Sequence, residues 1–362
     1  MNARPLTVVA YQRERHEPAY LQFIAKVLGP EECEHRRKVL ASMHERMPGR
    51  DRFPLRHVIL DGERVAGSLG YMPADFWIGG ARVPVRFTHD LLVDPDYRGQ
   101  GLAKLVVDNA RALGDFFPGG MWMTDPCYKI HLACGFDDVA ALTTHTLALD
   151  VGSFVAHKKL PRAKALVARA GLTFTRYRTL ARANRTRARA GSTVKAVDRF
   201  DPALDETWAK LGATYAVTLA RDAAYLNWRY TSHPHLKYRF AIASTNGGPA
   251  GFIVWRPSGA GEKRAVVADF LVAKGDVATF ERLLAHVIVH ASMAGCHSLS
   301  VLTTQSWAAR TLRSFGFYPR AVRNTWVIAG WQDRIPKEWL AEHDPWHVVL
   351  GDSDGDIWSH AT

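Results

Sequence analysis

The most telling stretch of the chain is LLVDPDYRGQGLAKLVVDNA, residues 91–110. An apolar strand runs to Val93, Pro95 stops it, and a helical pattern begins around Gly101. Between them lie Arg98, Gly99, Gln100, Gly101, Leu102 and Ala103. Gly99 and Gly101 carry no Cβ, so a ligand can come close to the backbone there. The first-turn amides of the following helix have no intrahelical carbonyl to bind, and the helix dipole makes their position attractive to an anion. A strand, RGQGLA and a helix therefore form a cradle suited to a pyrophosphate. The spacing is not GxGxxG and no GK[ST] follows, which excludes the dinucleotide fingerprint and the P-loop. The bland alternative is a glycine-rich βα turn that binds nothing. The coincidence of the arginine, both glycines, the strand and the helix favours the cradle.

Working outward, the first half alternates in a mixed α/β manner. A strand at 6–11 precedes helices near 17–28 and 34–47, with apolar spacing such as Leu21, Ile24, Val27 and Leu28. Strands follow at 56–60, 65–72 and 83–93, separated by turns at Asp61-Gly62 and Gly79-Gly80, which reads as an antiparallel meander. After the helix of the quoted stretch, MWMT reads as a short buried strand. YKIHLACGF reads as a short helix ending in glycine. The second half repeats this order: helices near 203–218 and 222–230, strands at 238–244, 251–256 and 264–272, a helix over 277–293, a strand at 299–303 and a helix over 307–315. The first half closes on Gly135-Phe136 and the second on Gly316-Phe317, 181 positions apart. This predicts a tandem duplication. The expected fold class is α/β with mixed (α+β) sheets in two tandem domains. Residues 1–150 are the first, 151–200 a connector, and 201–362 the second with a C-terminal extension.

The run from Val93 to Ala103 resembles the acyl-CoA-binding motif of the GCN5-related N-acetyltransferase (GNAT) superfamily, Arg/Gln-x-x-Gly-x-Gly/Ala, matched by Arg98, Gly101 and Ala103. YKIHLACGF is similar to that family's helix before the last strands. The likeness covers residues 1 to about 150. The second half has the element order without the loop, since Ala-Lys-Gly-Asp follows its strand at 265–272, so it resembles a degenerate domain. The pattern from Arg221 to Tyr230, RDAAYLNWRY, is similar to segments of second halves in bacterial tandem members. The resemblance implies an enzyme that transfers an acyl group from acetyl-CoA or another acyl-CoA directly to a primary amine on a small molecule or peptide. Separately, the spacing of Cys33, Cys127, Cys134 and Cys296, without CxxC pairs, leads to the expectation of a reducing, cytoplasmic setting. The donor would lie in a V-shaped split, with backbone contacts from Leu91, Val93 and the loop 98–103.

That chemistry needs a base for the amine and an acid for the thiolate. An amine of pKa about 10.4 is mostly protonated at neutral pH, and a thiolate of pKa about 8.5 leaves more readily if protonated. In relatives resembling polyamine acetyltransferases, the place before the loop reads Glu-Asp and the glutamate is the base. Here it reads His89-Asp90. Strand alternation puts these two on opposite sides, so only one faces the cleft. Many relatives place a tyrosine five residues before the Gly-Phe phenylalanine. That position is His131 here, with Tyr128 almost one turn earlier, and either can serve as the acid. The equivalent second-half position is Leu312, which fits a non-catalytic domain.

Composition bounds the rest. Of 362 residues, 47 % are hydrophobic and 23 % charged, as in ordinary globular proteins. Residues 151–200 carry thirteen Lys/Arg against one acid, Asp198, so this stretch alone accounts for the net charge of +12. The arginines of 158–189 suit a solvated surface, an anionic surface or an acidic acyl carrier protein, which would imply a longer acyl donor. Nucleic acid is disfavoured, because Phe174 and Tyr177 are the only aromatics there to stack on bases. Four cysteines lack CxxC spacing and the histidines lack HxxxH, so no metal is assigned. No apolar run of about 20 residues spans a bilayer, and the start of the sequence lacks a signal-peptide core. Asp352-Ser-Asp-Gly-Asp356 reads as a turn, and the late tryptophans (Trp326, Trp331, Trp339, Trp346, Trp358) as anchors of the C-terminal segment. The rival reading is a non-catalytic acyl-CoA-binding regulator, which buried orientations of both His89 and His131 would favour.

Overall fold

The computed structural model describes residues 5–43, 46–113, 117–119, 123–139, 142–157, 162–189, 191–258, 263–322 and 326–354. The first half runs β1 (Thr7–Ala10), α1 (Arg13–Leu28), α2 (Pro30–Met43), β2 (Arg56–Asp61), β3 (Arg64–Ile78), β4 (Ala81–Val93), α3 (Leu102–Arg111), β5 (Phe117–Pro118), α4 (Asp125–Ala133), β6 (Asp137–Asp138) and β7 (Thr143–Ala148). Two helices follow, α5 (Val151–His157) and the long α6 (Arg162–Ala188). The second half comprises β8 (Ser192–Val197), α7 (Asp205–Gly212), β9 (Val217–Leu219), α8 (Ala223–Thr231), β10 (Arg239–Thr245), β11 (Gly248–Ser258), β12 (Arg264–Val272), α9 (Val277–Met293), β13 (Ser298–Thr303), α10 (Ser306–Ser314), β14 (Tyr318–Ala321), β15 (Val327–Ala329) and β16 (Trp346–His347).

The mixed α/β class agrees with the sequence pattern, as does most of the element order, although β8 lies within the expected connector and pairs with β10. Three further local differences have physical causes. The helix expected over 203–218 stops at Gly212, because residues 217–219 pair as β9 with Phe76–Ile78 of β3. Strand β3 continues past residue 72 to Ile78, although Pro73 lies within it. β2 pairs with β3 only as far as Gly70 and β9 begins at Phe76, so Pro73 has a strand on the β4 side alone. An edge position tolerates the missing N–H. Of the expected strand MWMT, Met121 and Trp122 lie outside the described residues, and Met123 and Thr124 are not in a strand.

The halves interlock. Strand β7 of the first half lies between β13 and β14 in a seven-stranded sheet made otherwise of second-half strands. Reciprocally, β15 of the second half lies between β5 and β6 of the first. β9 and β16 extend the sheet of β1–β4. One core accordingly mixes Met72, Phe76 and Phe87 with Val217, Leu219, Trp228, Trp326 and Trp346. The indoles of Trp326 and Trp346 meet edge to face with centroids 5.0 Å apart, and Trp331 is buried beside them. Burying each such ring contributes about 1.5–3 kcal/mol. The late tryptophans thus anchor the C-terminal segment against both halves. Trp358 lies outside the described residues.

Candidate functional site

Strand β4 is bulged where the sequence reading placed the base. Gly70 pairs with His89 and Ser68 with Leu92, so Asp90 and Leu91 together face Leu69. Asp90 has φ of +59°, the one non-glycine residue in the left-handed region among the described residues. Aspartate tolerates that conformation better than most side chains, and such strain collects at functional sites. Simple alternation therefore fails through Asp90, and both residues are enclosed. His89 is 5 % exposed, and a Cβ on Gly70 would strike its ring. Burial, assisted by Arg56, drives its pKa down to about 3. A neutral imidazole with so low a pKa is a weak base.

Asp90 is committed elsewhere. Its carboxylate pairs with Arg36 of α2 and, at 3.3 Å, with Arg56 of β2. Burial pushes its pKa up, but the two guanidiniums overcome this and hold the carboxyl below its ordinary range. Arg36 is itself held by Glu32 at 2.8 Å, and Arg56 lies over the Tyr20 ring at 4.7 Å. Asp90 is thus a fixed anion that locks the bulge to α2 and β2.

The loop that follows is braced at its entrance. Asp94 accepts from the amide of Asp96 at 3.0 Å, Lys26 at 2.7 Å and Arg64 at 2.8 Å. Tyr97 donates to Asp61 at 2.6 Å. Arg98, Gly99, Gln100 and Gly101 are exposed, Leu102 is buried, and Leu91, Val93 and Ala103 are half-buried. Gly99 and Gly101 both have φ of +78°, and a Cβ on either would meet no atom within 4 Å. Backbone conformation, not crowding, demands glycine at both. Gly101 is the N-cap of α3 and supplies no side-chain cap. The first-turn amides therefore face the loop without an internal acceptor. Leu102, Val106, Val107 and Ala110 seat α3 on Ile59, Leu69 and Tyr71.

β4 pairs only with β3, whereas β5 pairs with β15, so no ladder joins β4 to β5 among the described residues. Beyond this gap stands α4. The His131 Nδ1–H donates to the Cys127 carbonyl at 2.8 Å, and burial lowers its pKa. Its Nε2 is then an acceptor, without a partner among the described residues. Neutral His131 has no proton left to give at Nε2. The half-buried Tyr128 retains its proton: burial and its hydrogen bond to Asp138 raise its pKa.

Sequence reasoning missed a residue that completes this cluster. The C-terminal segment is pinned by α8 and the residue before its cap: Arg221 pairs with Asp352 at 2.6 Å, and Arg229 of α8 donates to the Ser353 carbonyl at 3.0 Å. The half-buried Asp354 that follows feels the charges of Asp90, Arg36 and Arg229; burial, with a smaller push from Asp354, raises the Cys127 thiol to about 11. Burial and the Asp90 charge push the Asp354 carboxyl up to about 7. The acidic run 352–356 was visible, as was RDAAYLNWRY. That the two arginines of the second hold the first was not.

A family profile described as the acetyltransferase (GNAT) family matches residues 21–119, which contain α2, the β4 bulge and the loop. Over those residues the chain matches the GNAT family profile. Solved structures share the GNAT fold across nearly the whole length. A GCN5-related N-acetyltransferase from Anabaena variabilis aligns at 11 % identity and TM-score 0.60, covering 90 % of this chain and 72 % of that one. A probable N-acyltransferase from Enterococcus faecalis aligns at 12 % and 0.61, covering 92 % and 76 %. N-myristoyltransferase of Saccharomyces cerevisiae with bound myristoyl-CoA aligns at 9 % and 0.55, covering 91 % and 83 %. A search of curated protein sequences finds no match. Among the described residues no helix is long and apolar enough to cross a membrane, and no cluster of three or more His, Cys, Asp and Glu could hold a metal ion.

Proposed function

We propose that this GNAT-fold acyltransferase moves an acyl group from acetyl-CoA or a related acyl-CoA to a primary amine of a small molecule or peptide, in two tandem GNAT-like units of which only the first is active. The observation that carries this reading is the opening of α3 at an uncapped, left-handed Gly101 beside the strained bulge of β4. Arg98, Gly99, Gln100, Gly101, Leu102 and Ala103 hold the donor's pyrophosphate, and Leu91 and Val93 its pantetheine arm. Asp354 takes the amine proton, since a carboxyl with a pKa of about 7 is matched to neutral pH. Asp90 and His89 support the bulge. Tyr128 keeps its proton for the departing thiolate, and His131 positions α4. The second half shapes the acceptor side through β9, β16 and the C-terminal segment.

Isothermal titration with acetyl-CoA, octanoyl-CoA and free CoA, on wild type and Gly101→Trp, tests the donor site. Binding lost in the variant supports it, and thiol release over a panel of amines then tests transfer. Binding of none of the three by wild type refutes the reading. A second reading keeps some ground because His89 and His131 are both buried: a regulator that binds acyl-CoA without turnover. It requires binding with no thiol release for any amine.

A further inference from the structure

We propose that α6 docks this protein on an anionic phospholipid surface, lying in the plane of the interface. The inference does not depend on the acyltransfer reading. Helix α6 contains eight Lys/Arg and no acid. Its inward side is satisfied: Thr179, Ala183 and Thr186 are buried, Thr179 donates to the Phe315 carbonyl at 2.5 Å, and Arg182 holds Glu281 and the Ser314 carbonyl. The outward side has a different character. Leu166 is 72 % exposed, Val167 75 %, Phe174 63 % and Tyr177 73 %. At 100° per residue these four fall in one sector of about 100°, opposite the buried threonines.

Exposed Lys164, Arg178 and Arg185 flank the sector on one side and Arg169 on the other. No acid among the described residues forms an ion pair with any of them. Of the ten exposed large hydrophobics among the described residues, four lie on this helix. An apolar stripe with an aromatic pair, bordered by unneutralised cations, is the pattern of an interfacial helix: the stripe enters the acyl boundary and the cations meet phosphate. The long basic side chains extend toward the headgroups as the apolar sector sinks.

Charge selects this occupant over the others. A second copy presenting the same helix would set eight cations against eight. A nucleic acid would satisfy the arginines but leave Leu166 and Val167 against phosphate. A lipid surface satisfies both sets together.

The test is flotation of the full chain with vesicles of phosphatidylcholine alone or with about 30 % phosphatidylglycerol, between about 50 and 500 mM salt. The proposal expects at least about tenfold more protein on the anionic vesicles, with binding that weakens as salt rises. Leu166→Ser/Phe174→Ser/Tyr177→Ser and Arg169→Glu/Arg178→Glu should each lower it about fivefold or more, with thermal melting unchanged. Failure to float with anionic vesicles overturns the proposal. So does binding indifferent to the apolar variant. Two further results overturn it in favour of another occupant. One is tighter binding to duplex or single-stranded nucleic acid, lost only in the charge variant. The other is sedimentation of wild type as a dimer that the apolar variant dissolves.

Discussion

The junction from β4 into α3 and the junction from β12 into α9 occupy corresponding places in the two halves and have opposite chemistry. Both strands are bulged: β4 carries Asp90 and Leu91 against Leu69, and β12 carries the extra Ala268 between the partners of Val254 and Trp255. Helix α3 then opens at a bare glycine, while α9 opens at Asp276, whose carboxylate accepts from the Thr279 amide at 3.0 Å. An anion at the second junction is therefore part of the chain. The crevices differ in the same way. β12 pairs with β13 only through Val267, and beyond that point the C-terminal segment enters. His347 Nε2 donates to the Phe270 carbonyl at 2.8 Å, Gln305 donates to the Trp346 carbonyl at 2.5 Å, and Arg221 joins Asp269 at 2.8 Å to Asp352 at 2.6 Å. The second half packs its own C-terminal residues beside this junction, whereas loop residues 98–101 at the first junction are exposed.

The sharpest way to break this comparison is to unplug the second half. Arg221→Met strands two buried carboxylates, and should cost about 3–5 kcal/mol in denaturant unfolding while leaving acyl-CoA affinity in the folded protein unchanged. Lost affinity at retained fold would show that the second crevice, not the first, holds the donor.

Next in size is Asp354→Asn, expected to lower the rate of amine acylation about 10²- to 10⁴-fold at constant donor affinity. The same variant should erase a limb of kcat/KM that rises with pH near the Asp354 pKa of about 7. Its stability carries a distinct sign. The carboxyl titrates near 3.8 ordinarily and near 7 in the fold. Between those values the unfolded chain gives up a proton that the folded chain keeps. Wild-type stability therefore falls as pH rises through this window. Asp354→Asn should melt higher than wild type at pH about 8, by on the order of 2 kcal/mol, and no higher at pH about 4.

The smallest effect separates the two helix starts. Asp276→Ala should cost about 1 kcal/mol, the loss of one cap, with donor binding untouched. Gly101→Ala should also cost about 1 kcal/mol, from placing a Cβ at φ of +78°, and should weaken donor binding as well. Thermal melts and titration calorimetry on the two variants read this difference directly.

How much of this was legible follows from the range of each interaction. The loop, its strand and its helix show in twenty consecutive residues, because glycine at positive φ, a strand-stopping proline and helical periodicity are local properties. The contrast between the halves shows locally too, in the absence of RxxGxG/A from the second and in Leu312 where the first half has His131. The acid and base do not. Whether His89 or Asp90 faces a cleft depends on a bulge that alternation cannot anticipate, and on Arg36 and Arg56, which lie 54 and 34 residues from Asp90. Asp354 lies more than 260 residues along the chain from Asp90, and reaches it only because Arg221 and Arg229 pin the intervening turn.

By itself, then, the sequence determined the mixed α/β class, most of the element order, the basic segment and the glycine loop between β4 and α3, each written in the spacing of near neighbours. Tertiary structure decided the exchange of β7 and β15, the packing of the C-terminal segment beside β12, and the burial that lifts the Asp354 carboxyl to about 7. These depend on burial and on charges brought together from distant segments, and electrostatic energy is set by distance in space and by surrounding polarity, not by separation along the chain.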